Sequence, residues 1–263
     1  MLVKELKVDS VIKKITRKDD LFKGDYTVDL YQNCDFGCIY CDSSYDNTIY
    51  VKTNAVEILE KELENLPKGR IIVGSVNDPY QNCEKRYMIT KKVLEIIQKH
   101  NFTCHVLTKS DLVLRDIDLL RKINNCIVTV SIISLKNENS NFFEKNAPSS
   151  KKRFEVVEKL NKNGIHSGIA IMPFLPFIVE SEVQSIFNEA KKHDLKYVLY
   201  KHLELKGDQK QIFFKQIKKF HIDILKKYEE LYNDCYYPSK EYIKKIDTLI
   251  NKTSKKYNVK IKI

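Results

Sequence analysis

Three cysteines within eight residues, Cys34, Cys38 and Cys41, constrain this chain more than any other feature. They stand in the run Leu30-Tyr-Gln-Asn-Cys34-Asp-Phe-Gly-Cys38-Ile-Tyr-Cys41, directly after an expected strand at 26–31. Spacings of three and two residues let three thiolates converge from one tight loop, and Gly37 gives the backbone freedom to turn there. Three thiolates suit a [4Fe–4S] cluster that keeps one iron open to a further ligand. Zinc is the main alternative, but a structural zinc site takes four protein ligands, usually as two paired halves. No second close pair of Cys or His follows; Cys83, Cys104 and His105 offer a fourth ligand only singly. The seven cysteines are an odd number, and their clustering points to metal in a reducing compartment rather than to a disulfide scaffold. Cys104 and Cys126 sit in apolar, strand-like runs and read as small core residues.

The rest of the chain alternates short β-branched runs with longer helical patterns, the signature of parallel strands joined by crossover helices. Strands are expected at 26–31, 70–75, 103–108, 127–133, 167–172 and 196–201. Helices are expected near 54–66, 87–99, 111–123, 151–163 and 180–193. Asn54 and Glu57 have capping-box spacing, Asp111 is a candidate N-cap, and Asn163-Gly164 suits a helix end. After residue 205 the strands stop, and two Lys-rich helical stretches follow, near 209–232 and 239–257. Six βα units are too few for an eight-stranded barrel. They suit an α/β fold of the partial (β/α)6 TIM-like barrel type, with residues 1–205 as core and 206–263 as a C-terminal Lys-rich helical extension packed on it. Chemistry in such barrels sits on the loops after the C-terminal ends of the strands.

Charge is uneven. Residues 191–263 carry 19 Lys, no Arg and 9 acidic residues, whereas residues 1–190 carry 27 basic and 26 acidic ones. A basic C-terminal third could face nucleic acid. Against this, Lys is frequent throughout the chain, and phosphate-binding surfaces tend to recruit the Arg that this segment lacks. Its aromatic residues, among them Phe213, Phe214, Tyr228, Tyr232 and Tyr242, alternate with Lys, and helical packing explains most of them. The longest apolar run, 165–179, is interrupted by His166, Ser167, Pro173 and Pro176, and the first 18 residues lack a signal peptide's apolar stretch. Cytoplasmic location without membrane contact is the expectation. Neither a Gly-rich phosphate loop nor a Ser-His-Asp arrangement nor a second cysteine cluster is present.

Taken in order, these motifs resemble the radical S-adenosylmethionine (AdoMet) superfamily, whose signature is Cys-x3-Cys-x2-Cys after the first barrel strand with an aromatic residue, here Tyr40, before the third cysteine. Within it the chain is similar to the spore photoproduct lyase group and its lyase-like relatives, often labelled DNA repair photolyases. The matching pieces are Gly74-Ser-Val-Asn-Asp-Pro-Tyr80 with Glu84, Leu107-Thr-Lys-Ser110, Arg115-Asp116 and Val130-Ser131-Ile132. They continue through Glu144, Ala147-Pro148, Arg153, Gly164-Ile165, Gly168 and Pro173. The resemblance implies that Cys34, Cys38 and Cys41 bind a [4Fe–4S] cluster whose open iron chelates the methionine end of AdoMet. It also implies that Ser75 and Asn77 lie near the amino group, Lys109 contacts AdoMet, Ser131 lies near its ribose and Tyr40 beside its adenine. The activity implied is reductive cleavage of AdoMet to a 5′-deoxyadenosyl radical that abstracts hydrogen from a substrate, with the electron coming from an external reductant of the flavodoxin or ferredoxin type.

One position departs from the pattern. Spore photoproduct lyase carries a hydrogen-donating cysteine three residues before the Asp equivalent to Asp78, and Ser75 stands there. An alcohol O–H bond is far stronger than a thiol S–H bond, so Ser75 cannot make that donation. Cys83, in the same expected loop, is a candidate substitute. Three readings remain at this point: a radical enzyme acting on nucleic acid or another substrate, an iron–sulfur protein that binds nucleic acid or senses redox state without turnover, and a zinc-stabilised nucleic-acid module.

Overall fold

The computed structural model describes residues 1–44, 46–220 and 222–263. Its strands are β1 (Leu2–Leu6), β2 (Ile12–Lys14), β3 (Tyr26–Val28), β4 (Tyr31–Gln32), β5 (Thr48–Lys52), β6 (Arg70–Val73), β7 (Thr103–Thr108), β8 (Ile127–Ile132), β9 (His166–Phe174) and β10 (Val198–His202). Its helices through the middle of the chain are α1 (Ala55–Glu64), α2 (Glu84–Tyr87), α3 (Ile89–Lys99), α4 (Ile117–Leu120), α5 (Asn137–Phe143), α6 (Ser150–Lys162) and α7 (Val183–Lys192). Toward the C-terminus follow α8 (Asp208–Phe220), α9 (Ile222–Tyr232) and α10 (Lys240–Tyr257). The helical pattern expected at 209–232 spans His221, which lies outside the described residues.

Seven strands form one sheet in the order β10-β9-β8-β7-β6-β3-β2. All neighbours in it run parallel except β2, which pairs antiparallel with β3. Period-2 alternation assigns its two faces. Val106, Val128, Val130, Ile132, Ile169 and Ile171 join the large apolar core. Their sequence neighbours Leu107, Thr129, Ser131, Ala170 and Met172 point the other way and line a cavity. Full burial of each Val or Ile contributes about 1.5–3 kcal/mol, which fixes the register and so fixes which side chains face the cavity. Cys104 and Cys126 belong to the core, with their sulfurs 3.4 Å apart.

A second sheet, β1-β5-β4, was not expected from the sequence. The expected strand at 26–31 is divided between the two sheets: β3 belongs to the first and β4 to the second. The cysteine loop hangs between β4 and β5 of this small sheet.

Two capping expectations are corrected. Asn54 does stand at the N-cap of α1, as expected, but its side chain makes no cap hydrogen bond and instead brackets the Val8 backbone, accepting from its N–H at 3.0 Å and donating to its carbonyl at 2.8 Å. Asp111 is not an N-cap: it begins a 3₁₀ turn, Asp111–Asp116, capped by Ser110, which accepts from Leu112 N at 3.2 Å, while Asp111 pairs with Lys152 at 2.5 Å. Gly164 does end α6 in the left-handed region, at φ +79°.

The C-terminal helices bury their aromatics. Phe213, Tyr228 and Tyr232 are fully buried, and the Tyr228 and Tyr232 rings stack at 5.9 Å, whereas Tyr236 and Tyr237 are exposed. Past α10 the chain returns to the edge of the large sheet, where Val198 N donates to Lys260 O at 2.8 Å. Among the described residues no helix is long and apolar enough to cross a membrane.

Candidate active site

The cysteine loop is shaped by its own backbone and held from outside. Gly37 takes φ +65°, the left-handed turn its position required. Cys34 N donates to Ser43 O at 2.8 Å and Cys41 N to Cys38 O at 3.1 Å. From the segment after α5, Cys38 pairs with Glu144 in an isolated antiparallel bridge. Ile39 N donates to Phe143 O at 3.1 Å, and Asn146 N donates to Phe36 O at 3.0 Å. The Gln209 side chain, from the first turn of α8, donates to the Tyr40 carbonyl. Local spacing therefore brings the cysteines together, and contacts more than a hundred residues away keep them there.

All three thiols line one cavity of about 330 Å³ at the C-terminal ends of the parallel strands. Cys34 and Cys38 are buried and Cys41 is partly buried. Burial pushes the Cys38 thiol up to about 12, against the opposing pull of the Lys109 charge. Burial, reinforced by Asp78, also raises Cys34, while the Phe36 and Asp78 backbone N–H groups favour its thiolate. Such thiols keep their protons until a cation replaces them.

Of the expected cofactor residues, Tyr40, Ser75, Lys109 and Ser131 line this same cavity. Ser75 follows Gly74, which takes φ +87°; a Cβ at Gly74 would come within 2.8 Å of Leu107 O and 2.4 Å of Pro79 Cδ, so only glycine fits there. The Ser75 hydroxyl donates to Asp29 at 2.8 Å, and the same carboxylate accepts from the N–H groups of Val76 and Asn77. Asn77 is not among the lining residues. Its amide donates to Tyr31 O at 2.9 Å, and its buried Oδ1 has no partner among the described residues.

Asp78 sets the position of Lys109. Its carboxylate accepts from Thr108 Oγ1 at 2.7 Å and Lys109 N at 2.6 Å, pinning the end of β7. Burial raises its pKa, and these hydrogen bonds oppose the rise. The Lys109 ammonium lies 3.8 Å from Glu144 Oε1 and 5.9 Å from the centre of the Tyr40 ring. Burial works against its charge, but the neighbouring acidic groups Cys38, Glu144 and Asp78 together outweigh burial and hold it above the ordinary lysine range. Tyr40 donates a hydrogen bond to Glu144, and burial, with the adjacent acidic groups Cys38 and Glu144, keeps that phenol protonated.

Cys83 is placed elsewhere. It lines a separate hollow of about 450 Å³ with Met1, Val3, Asp35, Ile49, Asn82 and Asn146. After Asp78 the chain runs through the buried Tyr80 and Gln81 into α2, and Cys83 stands at the start of that helix, away from the cavity.

Sequence reasoning missed a further set of lining residues: Phe22, Lys201 and His202 at the C-terminal end of β10, and Glu204 and Gln209 beyond it. The rule that barrel chemistry follows the strand ends could have drawn attention to 201–204. His202 is oriented by α10, with Nε2 3.0 Å from Asp247 Oδ1, which also accepts from the Tyr200 hydroxyl at 2.9 Å.

Similarity to known proteins agrees with this geometry. An uncharacterized protein of Methanocaldococcus jannaschii is 30% identical over 176 residues, 63% of this chain and 66% of that protein, so the chain spans just under two thirds of that relative. One of Acidianus two-tailed virus is 28% identical over 158 residues, 59% of this chain and 50% of that protein. A spore photoproduct lyase variant with bound AdoMet and dinucleoside spore photoproduct shares the fold, at TM-score 0.73 and 16% identity over 97% of this chain and 79% of that one. Streptococcus suis SuiB bound to S-adenosylmethionine superposes at TM-score 0.53 and 12% identity over 77% of this chain and 48% of that one. The fold is thus TIM-barrel-like. Residues 28–190 match the radical SAM superfamily, and the chain belongs to that family, whose enzymes use a [4Fe–4S] cluster and AdoMet to carry out radical chemistry.

Proposed function

We propose that Cys34, Cys38 and Cys41 hold the cluster, that AdoMet occupies the cavity beside them, and that the chain is a hydrogen-abstracting radical enzyme whose substrate is a nucleic acid. The observation that carries this reading is that three thiols, two of them buried, a charged lysine, two serine hydroxyls and a tyrosine face one cavity at the strand ends. The donor set fits the cluster better than zinc. Among the described residues no three His, Cys, Asp or Glu side chains converge as a single ion needs, whereas the three thiols share the wall of one cavity, as a larger cubane needs. When bound, cluster and AdoMet supply one-electron cleavage of a carbon–sulfur bond, giving a 5′-deoxyadenosyl radical for hydrogen abstraction.

The protein's own part is to bind and orient. Lys109 offers a cation to the AdoMet carboxylate, the Ser75 hydroxyl faces its amino end, Ser131 answers a ribose hydroxyl and Tyr40 lies along the adenine. Asn77 acts at one remove, ordering β4 through the Tyr31 carbonyl. We read the large sheet as an open (β/α)6 barrel formed by residues 1–205, with 206–263 as a helical extension that closes its edge. The electron comes from an external carrier of the flavodoxin or ferredoxin type.

Two features support a nucleic-acid substrate: the positive charge of residues 191–263, and the fold shared with a lyase that binds a dinucleoside lesion. Ser75 and the remote Cys83 supply no thiol to the cavity, so return of hydrogen to a product radical is not assigned to either. Anaerobic reconstitution tests the reading: about four iron and four sulfide per chain are expected, with an electron paramagnetic resonance (EPR) signal of the reduced cluster that AdoMet alters. Zinc in place of iron, or a signal indifferent to AdoMet, would overturn it.

A further inference from the structure

Glu144 stands at the end of α5 with its side chain fully buried, in a place where a carboxylate is costly unless its charge is answered. It has three partners. Arg153 Nη1 lies 2.6 Å from Oε2, while Oε1 accepts the Tyr40 phenol and faces the Lys109 ammonium at 3.8 Å. Arg153 is buried as well and reaches further, donating from Nη1 to Ser131 O at 2.8 Å and from Nε to Pro148 O at 2.6 Å. One buried ion pair therefore touches the cysteine loop through Tyr40, the end of β7 through Lys109, and β8 through the Ser131 carbonyl.

We propose that Glu144, backed by Arg153, is a positioning residue that sets Lys109 and Tyr40 for AdoMet; this rests on the AdoMet site argued above. The Lys109 distance carries the inference. At 3.8 Å the ammonium is attracted to Glu144 but not hydrogen-bonded to it. Its Nζ makes no hydrogen bond among the described residues, so its donors stay available to a carboxylate entering the cavity. Arg153 neutralises the other Glu144 oxygen, so Glu144 aims Lys109 without neutralising it. The Tyr40 hydrogen bond holds the ring against the wall of the same cavity.

A buried carboxylate can also be purely structural, and the chain contains a control. Glu182 is buried and accepts from Ser134 Oγ at 2.7 Å, Leu135 N at 2.6 Å and Asn139 Nδ2 at 3.1 Å. None of those partners lines the cavity.

The test uses cluster-loaded protein and reads AdoMet affinity from the EPR signal of the reduced cluster. Glu144→Gln keeps size and an acceptor for Tyr40 but removes the charge. It is expected to weaken AdoMet binding about tenfold, whereas Glu182→Gln lowers Tm and leaves affinity within about twofold. Lys109→Met weakens binding by itself, and adding Glu144→Gln to it is expected to cost no further affinity, because the carboxylate acts through the lysine. Unchanged affinity in Glu144→Gln, or losses that multiply in the double variant, would overturn the proposal. If Glu144→Gln fails to load iron, Tyr40→Phe replaces it, with a loss of about threefold expected and unchanged affinity again contradicting the role. Failure of the unsubstituted protein to bind AdoMet would instead overturn the AdoMet site itself, and this inference with it.

Discussion

Two buried networks in this protein are built from the same kinds of residue and behave differently. In the first, Glu84 accepts from the Tyr31 hydroxyl, from Thr90 N at 3.0 Å and from Arg115 Nη2 at 2.8 Å. Arg115 also pairs with Asp116 at 2.7 Å, and Asp116 accepts from the Tyr80 hydroxyl at 3.1 Å. In the second, Glu144 joins Tyr40, Arg153 and Lys109. None of Tyr31, Tyr80, Glu84, Arg115 and Asp116 lines the cavity, whereas Tyr40 and Lys109 do. The first network is closed and orders the chain between β6 and β8. The second leaves one cation without a hydrogen bond and turns it toward the cavity. Kinship of composition thus says little about role; in the function proposed here, the unspent donor marks the network that meets AdoMet.

The comparison can be broken at several points. Arg115→Ala should cost the most stability, about 4 kcal/mol in urea unfolding, by stranding Glu84 and Asp116, and should leave the AdoMet affinity of the folded protein unchanged. A loss of affinity without loss of stability would reverse the roles assigned to the two networks. Next comes a neutral network beneath the cavity, in which His105 Nε2 lies 2.7 Å from Thr129 Oγ1, itself 2.7 Å from the Tyr197 hydroxyl. Burial drops His105 from 6.5 to about 4, outweighing the hydrogen bond to Phe22 O. The unfolded chain takes up this proton below pH 6.5 and the native chain only near pH 4. Stability from this group is therefore complete above pH 6.5 and lost as pH falls toward 4, by about 3 kcal/mol in all. Urea midpoints measured between pH 7 and 4 should show the decline, and His105→Gln should flatten that part of it.

Smaller in energy but nearer the chemistry, Lys109→Met should weaken AdoMet binding at least tenfold, about 1.4 kcal/mol, while stability moves by less than about 1 kcal/mol because Glu144 keeps Arg153. Equal loss of both quantities would make Lys109 a structural residue like Arg115. The smallest effect belongs to Cys83→Ser, which should leave 5′-deoxyadenosine formation within about twofold, given the separate hollow it occupies. A large loss would place Cys83 in the reaction after all.

Much of the site was legible because its signals are local. Cys34, Cys38 and Cys41 lie within eight residues, and Lys109 and Ser131 belong to β-branched runs whose alternation fixes the side they face. Other parts depend on pairings across long separations. The β1-β5 pairing joins residues 2–6 to 48–52, and Leu-Val-Lys-Glu-Leu at 2–6 lacks the period-2 alternation that would announce a strand. Asn54 has capping-box spacing, but the Val8 backbone competes for its side chain and wins. Asn77 and Ser75 are two residues apart on a turn, and only the turn decides that Ser75 faces the cavity while Asn77 faces β4. Gln209 reaches the cysteine loop from 169 residues away, a contact no local pattern encodes.

The most direct measurement is 5′-deoxyadenosine formation by anaerobically reconstituted protein given reductant and AdoMet, with Cys38→Ala beside it. Product from the native chain and none from the variant is the expected result. Equal product from both, or neither product nor AdoMet binding in a native chain that has assembled its cluster, would contradict the radical-enzyme reading.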